Sequence, residues 1–86
     1  MEEEIGRVTH YFSKIQVGVL EVTQGVLRVG DTIHIVGHTT DFFQKLESLQ
    51  MEHVQVESAA KGQSVGFKAE FPVREHDRVF RVTGDS

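Results

Sequence analysis

The chain has 86 residues with one Pro, eight Gly, no Cys and a formal net charge of −4. That length holds one small domain with a thin core, and the missing cysteine excludes disulfides, thiol nucleophiles and Cys-based zinc sites. Glu2, Glu3 and Glu4 carry most of the charge imbalance, and the rest lacks the basic excess of a non-specific nucleic-acid binder.

Residues 1–4 read as an acidic, frayed tail, the reverse of a secretory start. No run approaches the ~20 apolar residues of a membrane span. A cytoplasmic protein without a membrane partner is expected, with one domain over residues 5–83 and a short tail at 84–86.

Val8, His10 and Phe12 alternate with Thr9, Tyr11 and Ser13, the period of a strand. From Ile15 to Val22 apolar residues fall on both faces, as in a strand buried on both sides. Thr23-Gln24-Gly25 then reads as a hairpin connection. From Gly25 to Ile35 the order is turn, strand, turn, strand: Gly25 and Gly30 supply positive φ, and Asp31 can bond backbone with its side chain.

Residues 42–60 are ambiguous. Phe42, Leu46, Leu49, His53, Val56 and Ala60 recur every three or four residues, and periodicity alone makes that a helix. Beyond a turn at Gly62, Val65, Phe67, Ala69 and Phe71 form an inward stripe. Glu75-His76-Asp77 is a further turn, and Phe80 and Val82 belong to a closing strand.

Candidate chemistry is sparse. His34, His38 and Asp41 could in principle hold zinc or iron, but on a strand the two imidazoles stand ~13 Å apart, so no metal is expected. No Gly-x-x-x-x-Gly-Lys-Ser/Thr run cradles a nucleotide. Ser13, Ser48, Ser58 and Ser64 sit in no nucleophile elbow. Glu47 with His53, and Glu75-His76-Asp77, are acid–base groups by sequence proximity alone. No enzyme and no cofactor are expected. Adjacent Phe42 and Phe43 cannot both point inward on a regular strand. The outward one, beside Gln44 and Lys45, is the best contact candidate. Lys68, Arg74, Arg78 and Arg81 could form a local basic patch, although solvated strand and turn positions explain them more simply.

Gly6-Arg7-Val8, the Gly25–Ile35 stretch, the Ala59–Phe67 stretch with Gly62 and Gly66, and Glu75–Phe80 with Asp77 carry a resemblance. Over about Gly6 to Val82 the chain resembles the β-barrel second domain of translational GTPases such as elongation factor Tu. The resemblance implies an all-β fold, a small closed antiparallel β-barrel of the translation-protein type. It also makes Phe42–Gln50 one long barrel strand, with a bulge that lets Leu46 and Leu49 both face inward. The family's closing turn carries Gly before the Asp; here His76 stands there. A similar barrel resembles the C-terminal module of some collagenase-like bacterial peptidases. The implied function is a non-catalytic binding module that contacts tRNA or the ribosome. The alternative is a protein–protein adaptor docked on a larger peptidase or GTPase that lacks its own barrel. Phe42, Phe43, Lys45, Lys68, Arg74, Arg78 and Arg81 are the candidate contacts for either role.

Overall fold

Short strands with period-two burial make up most of the computed structural model, which describes residues 1–83; the expected tail at 84–86 lies outside them. The strands in chain order are β1 (Glu2–Phe12), β2 (Val17–Val22), β3 (Val26–Arg28), β4 (Thr32–Val36), β5 (Asp41–Lys45), β6 (Leu49–Met51), β7 (Val54–Val56), β8 (Ser58–Ala60), β9 (Ser64–Lys68) and β10 (Arg78–Val82). No helix occurs among the described residues. One sheet runs β5-β4-β10-β1-β2-β9-β6-β7, and β3 pairs with β8 in a second. Ile5, Val8, Leu20, Ile33, Ile35, Leu49, Phe67 and Val79, from strands across the large sheet, share one buried cluster with Leu27 and Ala59 of the small one. The large sheet therefore wraps around a single core.

The expected closed barrel is not made by hydrogen-bonded ladders: β5 and β7 are the two ends of the order, and no ladder joins them. The seam beside β5 is spanned by a side chain instead. The Gln44 amide donates to Lys68 O (2.9 Å) and accepts from Glu70 N–H (2.9 Å) while itself buried.

The expected frayed tail is strand. Glu2, Glu3 and Glu4 pair with Val82, Arg81 and Phe80. The charges that suggested fraying have cross-strand partners, Glu3 with Arg81 (3.0 Å) and Glu4 with Arg78 (3.3 Å). The alternation through Val8, His10 and Phe12 also breaks. A register shift between Val8 and His10 leaves Thr9 as the extra residue, so Val8 is buried, Phe12 is exposed and Tyr11 packs on the core.

β2 buries one face only, through Gly18, Leu20 and Val22, while Ile15 lies in the preceding turn, 59% exposed. Thr23–Gly25 is a turn but not a hairpin, because β2 pairs with β1 and β9 whereas β3 pairs with β8. The 42–60 segment is neither a helix nor one long strand. Leu46 and Leu49 are both buried as expected, yet Leu46–Ser48 is an irregular break between β5 and β6. His53 and Ala60, which a helix would bury with them, are exposed. The β9 stripe ends at Ala69: Phe71 is 55% exposed, and Val73 enters the core instead.

The turns follow the expected chemistry. Gly25, Gly30 and Gly62 have φ of 72°, 100° and 91°. Asp31 Oδ2 accepts from Arg28 N–H (2.9 Å), and Asp77 Oδ2 accepts from Arg74 N–H (2.9 Å). His76 occupies the left-handed region at φ 75°, where the family pattern has glycine. A non-glycine residue there costs ~1–2 kcal/mol, part of which glycine returns through greater freedom in the unfolded chain. His76→Gly is expected to stabilise the domain by about 0.5–1 kcal/mol. A thermal melt checks this, with a rise of about 2–8 °C for a domain of this size.

Candidate interaction surface

Cross-strand register builds an aromatic row on the outer face. β10 sets Phe80 opposite His34 of β4, and β4 sets His34 opposite Phe43 of β5. The His34 and Phe43 rings stack 4.0 Å apart, with planes 12° from parallel. His34 also meets Phe80 in a tilted contact at 6.4 Å, and the Arg78 guanidinium lies 5.3 Å from the Phe80 ring centre. Phe43, 54% exposed, is the outward member of the Phe42–Phe43 pair. Phe42 turns inward, packs on the core and meets Phe71 edge-on at 5.0 Å.

His34 is held between two carboxylates. Nδ1 donates to Glu2 Oε1 (2.8 Å) and Nε2 to Asp41 Oδ1 (2.5 Å), which requires the doubly protonated imidazolium. Burial opposes the charged ring, but hydrogen bonds and charge from Asp41 and Glu2 outweigh it and hold the pKa above its ordinary value. A raised folded-state pKa stabilises the fold fully below the unfolded value of ~6.5 and loses that stabilisation as pH rises through the folded value. The melting temperature is therefore expected to fall as pH rises above the unfolded value of ~6.5. His34→Gln, measured over the same range, is expected to remove most of that slope.

His34, His38 and Asp41, the residues weighed as metal ligands, are not all brought together. His34 and Asp41 meet directly, which commits both ring nitrogens to carboxylates, while His38 sits exposed in the turn between β4 and β5. Among the described residues no three His, Cys, Asp or Glu side chains are grouped as an ion would need. The sequence-adjacent acid–base groups also disperse. Glu75 approaches His10 Nδ1 (3.7 Å), His76 shapes a turn, and Asp77 is buried as the acceptor of that turn. Glu47 lines a cleft beside Ser48, and His53 lies exposed in the β6–β7 turn.

The candidate basic patch separates into two kinds of residue. Arg78 and Arg81 are paired with Glu4 and Glu3, and Arg81 also donates to Val26 O (2.9 Å). Lys45, Lys68 and Arg74 are exposed and form no ion pair among the described residues. Arg74 lies on an open cleft of about 540 Å³ with Thr39–Phe42, Phe71 and Pro72. The sequence offered no route to the Phe80–His34–Phe43 row, since Phe80 is joined to it only by β10–β4 pairing. Alternation around His34 and Phe43 was the one available signal.

The all-β architecture and the turn pattern place the chain in a defined class: it belongs to the elongation factor Tu domain 2 family, whose profile matches residues 16–79. Among individual proteins, it is 44% identical over 78 residues to an uncharacterized protease of Methanocaldococcus jannaschii, covering 90% of this chain and 19% of that protein. It is 37% identical to a collagenase of Porphyromonas gingivalis, covering 90% of this chain and 22% of that protein. The chain thus spans about a fifth of the length of these relatives. The fold matches the C-terminal domain of a Geobacillus thermoleovorans protein described as a candidate U32 peptidase. The TM-score is 0.86 at 21% identity, with 94% of this chain and 93% of that domain covered. Among the described residues no helix is long and apolar enough to cross a membrane.

Proposed function

We propose that this chain is a non-catalytic β module that docks on a larger protein of the U32 peptidase kind. One observation carries the reading: the sequence relatives are a protease and a collagenase, and the chain corresponds to about a fifth of each. The structural match over nearly the whole of an isolated C-terminal domain supports it. The wrapped sheet, with its seam bridged by Gln44, serves in this reading as a barrel-like body that presents its outer face. The dispersal of Glu47, His53, Glu75, His76 and Asp77 agrees with a binding rather than a catalytic role.

Contact with tRNA or the ribosome rests on family membership alone, and two of its four arginine and lysine candidates in the last third are neutralised by Glu3 and Glu4. The deciding experiment co-expresses this chain with the body of a U32 peptidase from which the C-terminal domain has been deleted. Co-elution of the two is the expected result. No association, together with binding to tRNA or ribosomal subunits at low salt, would overturn the proposal in favour of a translation role.

A further inference from the structure

β5 ends the eight-stranded ladder, and its hydrogen-bond register shows which of its peptide groups are free. Leu46 N–H donates to Asp31 O (2.8 Å), Gly30 N–H to Leu46 O (2.8 Å) and Gly37 N–H to Thr40 O (2.7 Å). Even-numbered residues along this stretch therefore turn their peptide groups towards β4. Antiparallel pairing alternates strictly, so the N–H and C=O of Asp41, Phe43 and Lys45 point away from β4. No backbone or side-chain group among the described residues bonds them. The neighbouring 68–70 segment is tied to β5 through the inward Gln44 amide rather than through this edge. The edge opens at its Asp41 end onto the cleft bounded by Phe71, Pro72 and Arg74.

We propose that β5 pairs with β5 of a second copy of this chain, antiparallel about Phe43. The strand is self-complementary in that register. Asp41 faces Lys45 of the second copy at both ends, and Phe43 faces Phe43 at the centre. Every free N–H and C=O of Asp41, Phe43 and Lys45 then finds a partner on the other copy. Among the described residues Lys45 has no carboxylate partner, and no group bonds the second carboxylate oxygen of Asp41 when the first accepts from His34. All three side chains are exposed on the same face, where opposite charges and aromatic pairs directly across two strands are favourable. Sliding the copy by two residues in either direction loses one bonded pair and both opposite-charge pairs. An occupant other than a second copy would have to supply this alternation by chance.

A single strand pair lies at the small end of interface sizes, below ~1,200 Å² in total, so the dimer is weak and forms at high protein concentration. Sedimentation velocity of the 86-residue chain from about 10 µM to about 1 mM, the range for an interface of that class, is expected to show reversible dimerisation. Lys45→Asp sets like charges opposite each other twice and is expected to raise the dimer Kd at least about tenfold. Asp41→Lys is expected to do the same. An equimolar mixture of the two variants restores both opposite-charge pairs and is expected to form a heterodimer. Amide exchange should slow at Asp41, Phe43 and Lys45 with concentration, with Phe42 and Gln44 unchanged. A wild-type chain that stays monomeric at the highest concentration overturns the proposal, as does a Lys45→Asp dimer of unchanged affinity or a mixture of the folded variants that fails to associate. None of these outcomes bears on docking to a peptidase body, so the two proposals fail separately.

Discussion

Gly6→Ala is expected to destabilise the domain by about 3 kcal/mol, the upper part of the range for overpacking a filled interior. A Cβ built on Gly6 would lie 2.2 Å from Glu21 O and 3.1 Å from the Glu21 carbonyl carbon. The obstacle is backbone of the paired strand, so no rotamer change relieves it. The residue stands where β1 shifts register against β10, pairing with Val79 on one side and Val22 on the other. Relief would have to separate β1 from β2, two strands that carry buried Ile5, Val8, Leu20 and Val22. Domains of this kind are stable by only ~5–15 kcal/mol in total. Denaturant titration of Gly6→Ala should show a lower midpoint at unchanged slope. An unaltered midpoint would mean the β1–β2 ladder yields freely at this point.

Gly6 also shows where sequence reasoning stops. Gly6-Arg7-Val8 marked the opening of the domain by resemblance, but nothing in that tripeptide announces a carbonyl of β2 where a Cβ would stand. What was legible was local. Positive φ at Gly25, Gly30 and Gly62 and the Asp31 and Asp77 turns follow from residue chemistry over three or four positions, whereas the left-handed backbone of His76 was marked only by the glycine that the family carries there. Burial of Leu46 and Leu49 was legible, but the means was not, because an irregular break and a bulged strand give the same two buried positions. The helical spacing from Phe42 to Ala60 is a coincidence of position: Phe42, Leu49 and Val56 come from three separate strands, Leu46 from the break between β5 and β6, and His53 and Ala60 are exposed. The alternation in β1 misled at Thr9, since a bulge inverts which face is inward and leaves no mark in composition.

The acidic start misled for a related reason. Glu2, Glu3 and Glu4 look like a solvated tail until Arg78, Arg81 and His34 are placed beside them. Those partners lie 74, 78 and 32 residues away along the chain. The same distance hides the surface. Phe43 was identified only as one of two adjacent aromatics, and the row that gives it an address depends on β4 standing between β5 and β10. A strand order with β4 and β10 apart would have left His34, Phe43 and Phe80 unrelated.

Gln44→Leu is expected to cost about 2–4 kcal/mol, although it replaces a buried amide with an apolar group of similar size. The amide meets a donor and an acceptor on the same segment, Lys68 O and Glu70 N–H. Leucine would leave both part-buried peptide groups without that partner, and each such loss costs ~1–3 kcal/mol. The favourable burial of the leucine side chain recovers only part of this. The effect should concentrate at the seam, because the ladders from β4 to β9 do not depend on Gln44. Amide exchange should therefore accelerate at Glu70, whose N–H donates to Gln44, well before the β1–β2 and β1–β10 ladders are lost. Gln44→Glu separates the two bonds: the carboxylate can still accept from Glu70 N–H, but it has no N–H to offer Lys68 O. Its deficit is expected to be smaller than that of the leucine variant near neutral pH if the Glu70 contact dominates. If instead the two variants are equally unstable, the bond to Lys68 O is the one that holds β5 to the end of β9. Wild-type stability in Gln44→Leu would show that the seam is held by Phe42, Phe71 and the core beneath them rather than by the amide.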